Sequence, residues 1–155
     1  MALLDNRIAL VTGAGQGVGQ GIAFALAAEG ARVAVTGRTL EKLQKTVAEI
    51  ERRGGTALPV QCEVKSLASL QACVKTVVDH FGGLNILVNN AQEVPNGELF
   101  NVSDEAFEAG FQSGPLATMR LMKLCHPYLK GDGSIVNLAS SATKRWDMAG
   151  YGAYA

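Results

Sequence analysis

The chain has 155 residues, 48% of them hydrophobic, with 14 Lys+Arg balancing 14 Asp+Glu and with 18 glycines. That length suits a single domain, and an even charge with no basic run longer than Arg52-Arg53 argues against nucleic-acid binding. No apolar stretch approaches the roughly 18 residues of a membrane span, and Met1 to Asn6 has no cationic region ahead of Asp5, so neither a membrane segment nor a secretory leader is expected. Cys62, Cys73 and Cys125 are odd in number and lack a C-x-x-C spacing. They read as small buried hydrophobes in a reducing cytoplasm, not as disulfides or metal ligands.

The elements follow a regular order. Arg7 to Thr12 is a short β-branched and apolar run closed by glycines, the pattern of a strand buried on both faces. A helical stretch runs to Glu29, with Gly30 placed as its terminating glycine. Arg32 to Thr36 reads as a second strand. Thr39 then stands as the N-cap of a helix whose Leu40, Leu43, Val47 and Ile50 share one face, ending at Gly54-Gly55. Thr56 to Val60 is a third strand. Ser66 caps a helix with Leu67, Leu70, Val74, Val77 and Phe81 on its apolar face. Asn85 to Asn89 is a fourth strand, Ser103 opens a further helix, and Ser134 to Leu138 is a fifth strand. Gly110, Gly114 and Pro115 fall inside the fourth helix, so a kink or break is expected near Gly114. Such alternation predicts an α/β fold over residues 1–155, a Rossmann-like doubly wound parallel sheet with right-handed crossovers and helices on both faces.

The first strand runs into Thr12-Gly-Ala-Gly-Gln-Gly-Val-Gly19. Glycines in a βα turn let the backbone approach a pyrophosphate, and the amides and dipole of the next helix favour the anion. The spacing is neither G-x-G-x-x-G nor a P-loop, since no Lys-Ser/Thr follows. It is T-G-x-x-x-G-x-G, which makes Thr12, Gly13, Gln16, Gly17, Val18 and Gly19 candidate cofactor contacts; a flexible, closely packed turn is the competing explanation. After the second strand an NAD site calls for an acid, but Thr36-Gly37-Arg38 stands here, with no carboxylate before Glu41. Arg38 suits the 2′-phosphate of NADP through a charge-assisted pair, so NADP(H) is expected over NAD(H). An ordinary solvated arginine at a strand end is the alternative.

With these motifs the sequence resembles the short-chain dehydrogenase/reductase family over essentially its whole length. Glu63-Val64 after the third strand, Asn89-Asn90-Ala91 after the fourth and a Ser…Tyr pair at the end occur in family order. The resemblance implies that Glu63 and Val64 border the adenine and that Asn89 and Ala91 line the ribose. It implies Ser140 as the catalytic serine in Ile135-Val136-Asn137-Leu138-Ala139-Ser140, with Ser141 as rival, and Tyr154 as the catalytic tyrosine, with Tyr151 as runner-up. Trp146 and Met148 lie in the loop that borders the family's substrate. The implied activity is hydride transfer between NADP(H) and a small-molecule carbonyl or alcohol, as in a 3-oxoacyl reductase or related ketone reductase. A cytoplasmic homo-oligomer, dimer or tetramer, with no nucleic-acid or membrane partner and no metal, goes with it. The competing expectation is a non-catalytic nucleotide-binding or interaction fragment.

Departures from the family pattern accompany the likeness. Glu63 stands where Asp is usual, Gln92 where Gly is usual, and Gly114 where the fourth helix usually carries Asn. The family's lysine, four residues after the tyrosine, falls beyond Ala155, as do two of the usual seven strands. The likeness therefore covers roughly the first three-fifths of a full member. The fifth strand is expected to be an exposed apolar edge, and the 155 residues alone are expected to bind NADPH weakly and to reduce no carbonyl. His80 and His126 are expected on helix surfaces, not as ligands.

Overall fold

The computed structural model describes residues 2–94, 97–129 and 131–144. Five strands and five α-helices follow in the order β1 (Ile8–Thr12), α1 (Gly17–Ala28), β2 (Arg32–Gly37), α2 (Leu40–Arg52), β3 (Thr56–Gln61), α3 (Leu67–Phe81), β4 (Ile86–Asn89), α4 (Asp104–Phe111), α5 (Ala117–Cys125) and β5 (Ser134–Asn137). Every strand lies within one residue of its expected bounds. The strands pair in parallel in the order β3-β2-β1-β4-β5. The chain thus winds outward from β1 one way to β3, then crosses back to β4 and β5. The point of reversal lies between β1 and β4, where a crevice opens at the strands' carboxyl ends.

The period of two in β1 divides the core. Ile8 and Leu10 join Leu70, Val74, Val77, Leu87 and Leu121 on the face covered by α3 and α5. Ala9 and Val11 join Val33, Val35, Leu43, Val47 and Ile50 on the face covered by α1 and α2. A strand buried on both faces must be apolar at every position, which is why its sequence reads as an unbroken run. The sheet margins differ. Pro59, within β3, is tolerable because β3 pairs on one side alone, with β2. At the other margin all four β5 residues are exposed, Ile135 by 41% and Val136 by 48%.

Some local expectations need correcting. Ser66 and Ser103 cap their helices, accepting from the amides of Ser69 (3.3 Å) and Ala106 (3.2 Å). Thr39 holds the N-cap position but its side chain makes no cap bond; its backbone carbonyl accepts from Lys42 and Leu43 instead. Leu40 and Leu67 are exposed by 41% and 44%, outside the apolar faces assigned to them. Each is the first residue of its helix, and side chains there tilt toward the N-terminus, past the end of the sheet. The expected kink is a π-helical turn, Gln112–Leu116, inserted between α4 and α5 and containing Pro115. A π turn re-routes the backbone ladder around the missing proline N–H without ending the helix. His80 and His126 are exposed, and no metal-binding cluster occurs among the described residues.

One ion-pair group at the end of α2 gives an acid-dependent prediction. Arg52 and Arg53 both donate to the Glu49 carboxylate at 2.7 Å, holding its pKa at about 2 against an ordinary 4.5. A folded pKa below the unfolded one contributes stability above about pH 4.5 that fades as pH falls toward 2. Glu49→Gln should therefore shrink the difference in melting temperature between pH 7 and pH 3. An unchanged difference would rule the pair out as a source of acid sensitivity.

Candidate active site

The turn after β1 is built around a clamp between Thr12 and Asn90. The buried Thr12 hydroxyl donates to the Val88 carbonyl (3.3 Å) and accepts from the amides of Asn90 (2.9 Å) and Ala91 (3.0 Å). Asn90 answers by donating its side-chain amide to the Thr12 carbonyl at 2.9 Å. The loops following β1 and β4, neighbours in the sheet, are thereby locked together at the topological switch point. Gly13 turns there with φ +66° and Gly17 with φ +58°, the left-handed region that glycine enters without strain.

A cleft of about 420 Å³ opens above this clamp. Gly13, Gln16, Gly17, Val18 and Gly19 form one wall, Arg38 and Lys42 another, and Glu63, Val64, Asn90 and Ala91 a third. No side chain caps α1 and its first turn holds no acid, so its amides and the positive end of its dipole face the cleft. A Cβ on Gly17 would meet nothing within 4 Å, so that side of the turn is open. These features fit the pyrophosphate of a dinucleotide. Glu63 accepts from the Lys65 amide at 3.1 Å, so the longer acid still closes the turn two residues on. Arg38 is exposed, and its guanidinium donates to Glu93 at 2.6 Å.

A second cavity, of about 340 Å³, adjoins the first across Asn90, Ala91 and Gln92. Its walls include Gly114 and Pro115 of the π turn and Leu138, Ala139 and Ser140 after β5. Ser141 opens a 3-10 turn and is not among the lining residues. Ser140 Oγ accepts from the Ala142 amide at 3.2 Å. Asn89 sits one layer away from the cleft, in the wall of the adjoining cavity. It is buried in β4, donates to Asn137 Oδ1 at 2.9 Å, and meets the second cavity, not the main cleft, while its own buried Oδ1 has no hydrogen-bond partner among the described residues. Tyr154, Tyr151, Trp146 and Met148 lie outside the described residues.

Two of the departures from the resemblance, Gln92 and Gly114, meet in space. A Cβ on Gly114 would lie 3.2 Å from Cδ and Nε2 of Gln92. The Gln92 amide thus covers the site from which an asparagine at 114 would project. Because that amide is the free end of an exposed side chain, Gly114→Ala should be tolerated, with stability within about 1 kcal/mol of the parent by denaturant melt. A loss of several kcal/mol would show that Gln92 is pinned there.

The pattern of the short chain dehydrogenase family matches residues 7–155. The chain belongs to that family. It is 38% identical over 151 residues to a 12alpha-hydroxysteroid dehydrogenase of Clostridium, covering 92% of this chain and 58% of that one. A short chain dehydrogenase from Burkholderia cenocepacia, solved with NADP, superposes with a TM-score of 0.92 at 34% identity over 97% of this chain and 62% of its own. A 7alpha-hydroxysteroid dehydrogenase solved with NADH and a 7-oxo bile acid superposes at 0.90 with 28% identity, over 96% and 60%. The chain spans about three-fifths of the length of these relatives.

Sequence reasoning missed Lys42, Asn90, Gln92 and Glu93 as lining residues. Lys42 was within reach: it lies in the first turn of α2, and a parallel sheet gathers strand ends and following helix starts at one margin. Glu93 gave no local signal. The cysteines are free and buried, as expected. Cys62 borders the cleft, its thiol pKa lowered mainly by a hydrogen bond with Cys73, whose own is raised by the same bond; burial pushes Cys125 up to about 12.

Proposed function

We infer that this chain carries the cofactor site of an NADP-dependent oxidoreductase that moves a hydride between nicotinamide and a carbonyl or alcohol carbon. The observation that carries the cofactor preference is Arg38, immediately after β2 in the cleft wall, where no carboxylate occupies the strand end. A guanidinium there attracts a 2′-phosphate that an acid would repel. The relative solved with NADP supports the nucleotide, and the one solved with NADH and an oxo-steroid supports a carbonyl substrate.

The chemistry divides between the two cavities. The first would hold the adenosine and pyrophosphate through the α1 amides, Arg38, Glu63, Val64 and Ala91. When bound, the nicotinamide supplies or accepts the hydride. Ser140, in the wall of the second cavity, would donate a hydrogen bond to the substrate oxygen and hold the reacting carbon in place. Tyr154 would give the alkoxide its proton in reduction. A tyrosine at its reference pKa near 10 is only about one part in a thousand ionised at neutral pH, so the reverse reaction needs neighbouring positive charge. The family's lysine supplies it. Exposed Phe107 and Phe111, one turn apart on α4, support assembly as a homo-oligomer.

A second reading, a nucleotide-binding module without turnover, is favoured by Gly114, which lacks the side-chain amide of an asparagine. The two separate by nucleotide titration and turnover. Arg38→Asp should weaken NADPH binding on the order of tenfold or more, with little change for NADH, read by nucleotide fluorescence. Equal losses for both would remove Arg38 as the phosphate reader. NADPH oxidation with a ketone panel, lost in Ser140→Ala, would exclude the module; binding without oxidation in a chain extended to carry a lysine four residues after Tyr154 would establish it.

A further inference from the structure

Glu93 joins three parts of the chain that are far apart in sequence. One carboxylate oxygen accepts from Arg38 at 2.6 Å and the other from Lys65 at 3.0 Å. Arg38 follows β2, Lys65 follows β3, and Glu93 follows β4, so the side chain lies across the nucleotide cleft. Its position is fixed from behind. The Glu93 amide donates to the buried Ser113 hydroxyl at 2.9 Å, and Ser113 donates in turn to the Gly110 carbonyl at 3.1 Å. The cation on the far side is fixed as well: Arg120 donates to the Lys65 carbonyl at 3.1 Å, and Gln61 to the Arg38 carbonyl at 2.8 Å.

The geometry points to Glu93 as a specificity-determining residue, a resident carboxylate that occupies Arg38 and competes with the 2′-phosphate of NADP for it. This rests on the reading of Arg38 as the phosphate reader. Carboxylate and phosphate oxygens are both anionic acceptors for a guanidinium, so the two groups compete for the same cation. The phosphate of NADP must compete with Glu93 for the Arg38 guanidinium. NAD brings no group for Arg38, so the Arg38–Glu93 pair persists beside it. Glu93 therefore narrows the preference for NADP that Arg38 alone would give. It does so without standing in the β2 strand end, where the acid of an NAD site is looked for. The neighbouring cation, Lys42, is held by an amide, Gln16, at 2.5 Å, so the acidic competitor acts on Arg38 and Lys65.

The test removes the charge and keeps the shape. Glu93→Gln, Arg38→Asp and the double variant are titrated with NADPH and NADH, and with 2′,5′-ADP and 5′-AMP, which probe the adenosine half alone. In Glu93→Gln, NADPH and 2′,5′-ADP should bind roughly three- to fivefold tighter, the amount a partly exposed ion pair can withhold, with NADH and 5′-AMP changed by less than about twofold. The gain should vanish on the Arg38→Asp background. Unchanged affinity for the phosphorylated ligands, equal tightening for both classes, or weakening of either would overturn the role of Glu93. If instead Arg38→Asp affects NADPH and NADH alike, it is the reading of Arg38 that fails, and the Glu93→Gln series reports that outcome separately.

Discussion

Gly19→Ala should lower the stability of this chain by about 3 kcal/mol or more and abolish nucleotide binding. The reason is backbone crowding. A Cβ on Gly19 would lie 2.5 Å from the carbonyl oxygen of Gly13 and 2.9 Å from its carbon, and closer still to Nδ2 of Asn90. Neither backbone can retreat alone, because Gly13 is held by the turn and Asn90 by its bonds to Thr12. Relief requires α1 to move off β1, and that movement carries the helix amides away from the cleft. Against a typical net stability of about 5–15 kcal/mol, a loss of this size lowers the melting temperature by on the order of 10 °C. Gly21→Ala is the control. It lies two residues further along α1, on the nearly opposite face, and its added Cβ would meet nothing within 4 Å, so helix propensity should leave it neutral or slightly stabilising. If both variants melt and bind NADPH alike, close packing at Gly19 is not what holds the turn.

Thr12→Val should cost about 2–4 kcal/mol and weaken nucleotide binding with it. The substitution keeps shape and burial but removes the one hydroxyl that accepts from both Asn90 and Ala91. Two amides then lack their protein partner at a partly buried position, each a penalty of up to about 1–3 kcal/mol unless water reaches it. Asn90, Ala91 and Gln92 separate the two cavities, so a loosened loop disturbs both at once. Thr12→Ser keeps the hydroxyl and should recover most of the loss in denaturant melts and NADPH titrations. A valine variant as stable as the parent would show that the loop is held by other contacts.

Much of the fold was legible because local and global signals agree. The unbroken apolar runs at residues 8–11 and 86–88 mark central strands, while Pro59 is consistent with β3 at a margin. Gly110, Gly114 and Pro115 announced a disturbance in the fourth helix, but not its form. A π turn and a break have the same sequence signature; which forms depends on whether the helix after the proline still packs on the sheet, as α5 does through Leu121 and Cys125. The candidate cleft was legible where its residues sit in one turn, from Thr12 to Gly19. The bond between the Asn89 side chain and Asn137 on β5, 48 residues away, was not legible.

The sequence by itself determined the element order, the parallel sheet, the glycine turn and the absence of a carboxylate at the end of β2. Each depends on neighbours in the chain: a period of two or 3.6, a cap, a glycine, a charge at a strand end. Only the tertiary structure decided which charges face one another across the cleft. Arg38 and Glu93 are 55 residues apart, Lys65 and Glu93 are 28 apart, and Gln92 reaches Gly114 from another loop. Winding the sheet outward from β1 in both directions delivers all these loops to one margin, so pairing between them is set by strand order and register, which no local pattern encodes.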